Sequence, residues 1–291
     1  MFVDRKVVAS QCLYALKQWY ETMIPALFPM MLLSSIAVDT GLALKIGIIC
    51  NKTLFRFLNL SDRGCYCLIT GFLFGFPMGA KTTSDMLKKG AISSYEAEYL
   101  ISFINCIGPM YTIHFIHALY KCYALWTFLT GLYILPLCYG ILLRYTLYRT
   151  HVFQISSPIH HRKNHEKTTN LCFADALYEC VPKCGKAILM LGGYMILFQI
   201  SFIPLQYLLR SINVITQTFY PLLELTGGLM KLPTNTPLPW ILFYVSFGGA
   251  CCFLQTYSFI HPEGLSLRKY AFHKTILSLM AALYGIILEI F

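Results

Sequence analysis

Apolar stretches of about 20 residues, nearly free of charge, recur from one end of this chain to the other, and that is the length a helix needs to cross a hydrocarbon layer. They cover residues 22–42, 64–80, 98–119, 123–147, 187–209, 238–260 and 271–291. A barrel strand would alternate apolar and polar residues over about ten positions, whereas these runs are continuous. With 57% apolar and 12% charged residues in 291, the apolar excess has to face lipid, which excludes a soluble enzyme. The pattern predicts an all-α polytopic membrane protein. Residues 43–60 carry Lys45, Lys52 and Arg56, and residues 212–232 carry Glu224 and Lys231. Each of these stretches lies at the interface, re-enters, or spans within a polar bundle, so about seven to nine transmembrane helices are expected.

Charge orients the chain. Lys and Arg outnumber Asp and Glu by 23 to 13, a net charge of +10, and in a membrane protein such an excess follows the positive-inside rule and does not call for a nucleic acid partner. Arg144, Arg149, Arg162, Lys163 and Lys167 crowd one segment with Glu166 as its single acid, which puts the polar loop 149–172 in the cytoplasm. Residues 3–20 have the spacing of an amphipathic helix at the interface, and Met1–Ser10 lacks the apolar core of a cleavable signal peptide. Pro25 and Pro29 predict a kink near the start of the first span.

The loop divides the chain into two halves with the same order of features. After the amphipathic segment 1–20, a first repeat plus a connecting span occupies 21–148, and a second repeat occupies 173–291. Gly75 and Gly90 are spaced as Gly249 and Gly264 are. Gly- or Pro-interrupted segments in corresponding halves point to a transporter's binding site.

Residues 71–109 are the most informative. Gly71, Gly75 and Gly79 recur every four residues, as on a close-packed helix face, but Pro77 and the polar run from Lys81 through Ser84 and Asp85 read as a helix that ends at depth. Asp85 is expected to pair with Lys88 or Lys89, and Ser93 to Glu96 forms a capping box. Asn105, Gly108 and Pro109 mark a second break, so the two breaks are expected to face a shared pocket. Lys81 is the first candidate for an anionic substrate group, its alternative being a lysine that snorkels to water. In the second half the corresponding candidates are Ser246, Gly248, Gly249 and Gln255, and Glu224 is a candidate proton or cation site if its segment spans.

Other chemistry is not indicated. The twelve cysteines lie mostly in apolar runs, the pair Cys180 and Cys184 has no second pair to complete a zinc site, and His151, His160, His161 and His165 sit in a solvated loop. His114 and His117 lie on one helix face and are read as satisfying polar neighbours. No metal or cofactor is expected, and no hydrolase or nucleotide-binding motif occurs.

The run Gly75-Phe76-Pro77-Met78-Gly79-Ala80-Lys81, with Ser84-Asp85, Lys88-Lys89-Gly90, Glu96-Ala97-Glu98, Ser102-Phe103-Ile104-Asn105 and Gly108-Pro109, resembles the first "nucleoside recognition" or Gate domain of the YlbJ-type sporulation integral membrane protein family. Pro25-Ala26-Leu27-Phe28-Pro29 and Ser246-Phe247-Gly248-Gly249 with Gln255 are similar to its early and late elements. The chain departs from the pattern at Cys251-Cys252-Phe253, and the amphipathic 3–20 stands in place of an apolar N-terminal span. The resemblance implies two Gate repeats and a multi-pass protein of the mother-cell-derived outer forespore membrane of an endospore former. It further implies transport of dipicolinic acid during spore maturation. The residues themselves agree with a small anionic substrate carried between two repeats, with Phe76, Phe103 or Tyr111 as ring walls. The alternatives are a nucleoside-type permease and a non-transporting scaffold, which would assemble as a homo-oligomer or with sporulation membrane partners.

Overall fold

The computed structural model describes residues 5–150, 153, 172–208 and 213–290, and these are helical with no strand among them. The helices, in chain order, are α1 (Arg5–Gln18), α2 (Ile24–Asp39), α3 (Leu42–Cys50), α4 (Asp62–Phe74), α5 (Met78–Lys88), α6 (Ser94–Ile104), α7 (Pro109–Tyr111), α8 (His117–Leu119), α9 (Leu125–Leu129), α10 (Leu135–Tyr145), α11 (Phe173–Leu208), α12 (Asn213–Leu223), α13 (Leu225–Lys231), α14 (Leu238–Phe247), α15 (Gly249–Ile260) and α16 (Leu267–Ile290). Wider π turns join α1 to α2, α7 to α8 and α9 to α10. Most of the basic loop, with His151, His160, His161 and His165, lies outside the described residues.

The polytopic all-α class is confirmed. Among the described residues, five helices are long and apolar enough to cross a bilayer, and there are six if the bent pair Arg5–Met23 and Leu27–Asp39 forms one span. The difference from seven to nine lies in three stretches. Residues 42–58 form only the short α3 and its irregular end. Residues 64–80 do not make a straight span, because the chain folds back at Gly75-Phe76-Pro77: a Cβ on Gly79 would lie 3.2 Å from the Gly71 Cα, so α4 and α5 form a hairpin. Of residues 212–232, the described part from Asn213 also folds back, at Glu224, since a Cβ on Gly228 would lie 2.9 Å from the Tyr220 carbonyl carbon. In contrast, Leu238–Glu263 continues as one interrupted crossing through Gly248.

The N-terminal segment bends by 49° between Met23 and Leu27, at Pro25. It is tied to α11, where the Trp19 indole donates to the Ile188 carbonyl at 3.0 Å and lies over Gly192.

Two aromatic and aliphatic cores hold the hairpins in place. One gathers Tyr66, Leu68, Tyr99, Phe103, Tyr139 and Leu277 from α4, α6, α10 and α16. The other packs Ile116, Phe128, Leu229, Leu242 and Ala281 around α14 and α16. The start of α4 is set from a distance. Ser61 accepts the Gly64 N–H as its N-cap, and Ser61 in turn donates its own N–H and hydroxyl to the buried Glu96 carboxylate, at 2.7 and 2.9 Å. Ser93 accepts the Glu96 N–H as the capping box predicts, but the Glu96 carboxylate leaves its own helix to secure α4.

Candidate functional site

Four interruptions of helical backbone meet in the interior: the hairpin tips at Gly75–Pro77 and Glu224, and the breaks at Asn105–Gly108 and Gly248. Each begins with a local sequence cause. Gly75, Gly248 and Gly249 have φ of 72°, 86° and 76°, which side chains with a Cβ rarely adopt, while Pro77 and Pro109 cannot donate to a helix.

Close packing then joins them. Any Cβ on Gly75 would run into the Gly108 backbone, so these two breaks face one another as expected. A Cβ on Gly79 would lie 3.3 Å from the Asn105 Cα. Across the halves, the Phe76 ring lies against Gly248, 2.8 Å from where its Cβ would be. Gly249 lies under the last carbonyls of α12, its Cβ position being 2.8 Å from Pro221 O and 3.3 Å from both Leu222 O and Leu223 O. The Tyr111 hydroxyl spans to the Thr226 hydroxyl at 2.9 Å.

The cation at this crossing is Lys274 of α16, which the sequence reading did not single out. Its side chain is buried, with the residue 3% exposed. Its Nζ donates to the Asn105 carbonyl at 2.8 Å and lies 4.4 Å from the centroid of the Phe76 ring. No carboxylate pairs with it among the described residues. Asn105 is 1% exposed, and its Nδ2 donates to the Thr256 hydroxyl at 2.8 Å and the Tyr270 hydroxyl at 3.1 Å, leaving Oδ1 without a partner. An ammonium with unused donors, beside an unpartnered amide oxygen and an aromatic face, is suited to a planar organic anion. The one signal in the sequence was a charge inside the apolar run of α16.

Lys81 is placed differently. One turn into α5, it turns away from the breaks and donates to Ser35 Oγ at 2.6 Å and Asp85 Oδ2 at 2.7 Å, tying α5 to α2. Asp85 therefore pairs with Lys81, in place of the expected Lys88 or Lys89, and Lys89 pairs with Asp39. Ser84 donates to the Phe259 carbonyl at 2.7 Å and fastens α5 to α15. Gln255 donates to Cys251 Sγ at 3.3 Å within its own helix, and Ser246 is buried in α14, two residues before the break. Of the sequence candidates, the structure thus brings Gly75, Pro77, Gly79, Asn105, Gly108, Pro109, Gly248 and Gly249 together and leaves Lys81, Ser84 and Gln255 as ties between or within helices. Cys180 donates to Asp39 Oδ2 at 3.2 Å, and Cys184 Sγ lies 3.5 Å from Ser35 Oγ.

The Lys81 pair makes an asymmetric prediction. Lys81 is 8% exposed at the side chain and Asp85 is 39% exposed. Asp85→Asn leaves a buried cation short of its counter-charge, whereas Lys81→Met leaves an acid that reaches water. The expected result is a larger loss of thermal stability in detergent for Asp85→Asn, by about 1–2 kcal/mol. Equal losses would contradict this placement.

No protein-family model matches the chain, and no solved structure matches it. Among curated proteins it is similar to the "Sporulation integral membrane protein YlbJ" of Bacillus subtilis (strain 168), at 30% identity over 96 residues, which is 33% of this chain and 24% of the relative. The chain therefore matches about a quarter of the length of that curated relative.

Proposed function

We propose that this chain is a secondary transporter for a small organic anion, acting in spore maturation at the outer forespore membrane, with dipicolinic acid as its substrate. The observation that supports this reading most directly is Lys274, a buried ammonium without a carboxylate partner among the described residues, set where broken helices cross. Burying an ion costs several kcal/mol, and one hydrogen bond and an aromatic face offset only part of it; a ligand carboxylate would offset the rest. Broken helices at depth expose backbone polar groups that are tolerated only inside protein or beside a wet cavity, which is how transporters build binding sites. The likeness to a sporulation membrane protein supplies the setting.

The transport cycle is that of two Gate-like repeats moving around a central site. Gly75, Gly90, Gly249 and Gly264, equally spaced in the two halves, all have positive φ. Each pair brackets a helix, α5 in the first half and α15 in the second, and α6 and α16 follow. The correspondence supports a repeat in which the first copy folds into a hairpin and the second stays extended. Lys274, Asn105 and the glycine-lined breaks are the substrate contacts in this reading. Phe76 supplies the ring face.

Uptake of labelled dipicolinate into proteoliposomes, with uridine as the comparison solute, tests it. Saturable uptake of the dicarboxylate alone is the expected result. Uptake of uridine alone would replace this reading with a nucleoside permease, and uptake of neither under several imposed gradients would favour a scaffold.

A further inference from the structure

A second buried charge lies next to the crossing and takes no part in the contacts of Lys274. Glu224, 4% exposed, forms the tip between α12 and α13, where its carboxylate accepts the Thr226 N–H at 3.0 Å and the Gly227 N–H at 2.7 Å. No cation forms a salt bridge with it among the described residues. Facing it is Gln199 of α11, 1% exposed, whose Oε1 accepts the Tyr220 hydroxyl at 2.7 Å while its Nε2 has no partner. The two groups flank Gly227: a Cβ there would lie 2.9 Å from Gln199 Nε2 and 2.9 Å from Glu224 Oε2.

The other titratable groups near Glu224 are Tyr14 of α1, Tyr111 of α7, Tyr220 of α12, Lys231 of α13, and Cys251 and Cys252 of α15. Lys231 Nζ lies over the Tyr220 ring, 3.5 Å from its centroid. The Cβ position of Gly249 lies 3.3 Å from Leu223 O, next to Glu224, and Gly248 lies against the Phe76 ring that faces Lys274, so the start of α15 joins the surroundings of the two buried charges.

We infer that Glu224 is the proton-coupling group of the transporter, taking up one proton when an organic anion docks at Lys274. This rests on the transport reading above and adds the coupling ion to it. With Glu224 ionised and the site empty, the acid is offset by Lys231, whose charge reaches it, and Lys274 stands without a counter-charge among the described residues. An incoming dicarboxylate brings two negative charges against the one positive charge of Lys274 in a medium where charges interact strongly, and protonation of Glu224 cancels the excess. The proton comes from water on the side from which the anion enters, binds a Glu224 carboxylate oxygen, and leaves with the anion on the far side. Gln199 and Tyr220 suit both states, because a rotated amide presents its oxygen to a protonated acid and its N–H to the phenol oxygen. By linkage, a proton that favours the anion is favoured by the anion to the same degree.

The test is proton uptake by the full-length protein in weakly buffered detergent at neutral pH, with dipicolinate as the probe. Wild type is expected to take up protons on binding the anion, up to about one per anion, the limit for a single coupled site. Glu224→Gln, which keeps an oxygen to cap α13, is expected to bind the probe without proton uptake. Binding without proton uptake in wild type, or undiminished uptake in Glu224→Gln, would overturn the coupling while leaving transport intact. If dipicolinate fails to bind wild type, it is the substrate assignment that fails, and infrared titration of the ligand-free protein decides whether Glu224 exchanges a proton, as the coupling needs. A carboxylic acid band that grows as the pH falls and disappears in Glu224→Gln supports it. Absence of such a band overturns it.

Discussion

Lys274→Met is expected to abolish anion uptake while leaving the protein as stable as wild type or more so. The two results follow from one feature, a buried ammonium with a single hydrogen bond to protein, to the Asn105 carbonyl. Truncating one member of a buried, hydrogen-bonded charge pair costs about 2–5 kcal/mol, so binding of a carboxylate should fall by about thirtyfold to a few thousandfold. Folding loses little, because methionine fills nearly the same volume and the desolvation penalty of the ion disappears. The Asn105 carbonyl then lacks its donor, at a cost of about 1 kcal/mol. Titration calorimetry with dipicolinate and a thermal melt in detergent measure both quantities. A variant that binds as well as wild type would remove Lys274 from the site, and one that fails to fold would make it a structural cation.

The second large effect concerns backbone. Gly75→Ala is expected to destabilise the protein by about 2–6 kcal/mol: about 1–3 for a Cβ at φ 72° and ψ −159°, a region open essentially to glycine alone, and about 1–3 for crowding that neighbours cannot relieve. The neighbour in question is the Gly108 backbone, which is held by its own break and cannot rotate away. Gly90→Ala is the matched control. Gly90 has φ of 64° but nothing within 4 Å of its Cβ position, so only the conformational cost of about 1–2 kcal/mol applies. Heating each variant in detergent and measuring the folded fraction by size-exclusion chromatography compares them. Equal losses at the two positions would mean that the Gly75–Gly108 contact does not hold the hairpin tip.

The contrast between these variants reflects how the molecule is built. Lys274 is placed for a ligand, and Gly75 for the packing that holds the ligand's surroundings. Lys81 belongs with the second kind, since Ser35 and Asp85 occupy its ammonium, and Lys81→Met is expected to retain uptake that Lys274→Met loses.

What the amino-acid sequence determined by itself was local. Charge-poor runs long enough to span lipid made the chain an all-α membrane protein, and glycine and proline at 75, 77, 108, 109, 248 and 249 broke its helices where they stand. A missing N–H and a permitted left-handed φ act within a few residues, whatever surrounds them. The tertiary structure decided what depends on residues far apart in the chain. Whether a break reverses the chain, as at Gly75, or only interrupts it, as at Gly248, depends on what packs against both arms. Glu96 reads as half of a capping box and instead secures Ser61, 35 positions away. Lys81 and Lys274 are equally plausible cations in sequence; Asp85 one turn away occupies the first, and the second meets only the Asn105 carbonyl, 169 positions distant, and an aromatic face. A charge becomes a site through the partners that folding gives or withholds, and those partners come from other helices.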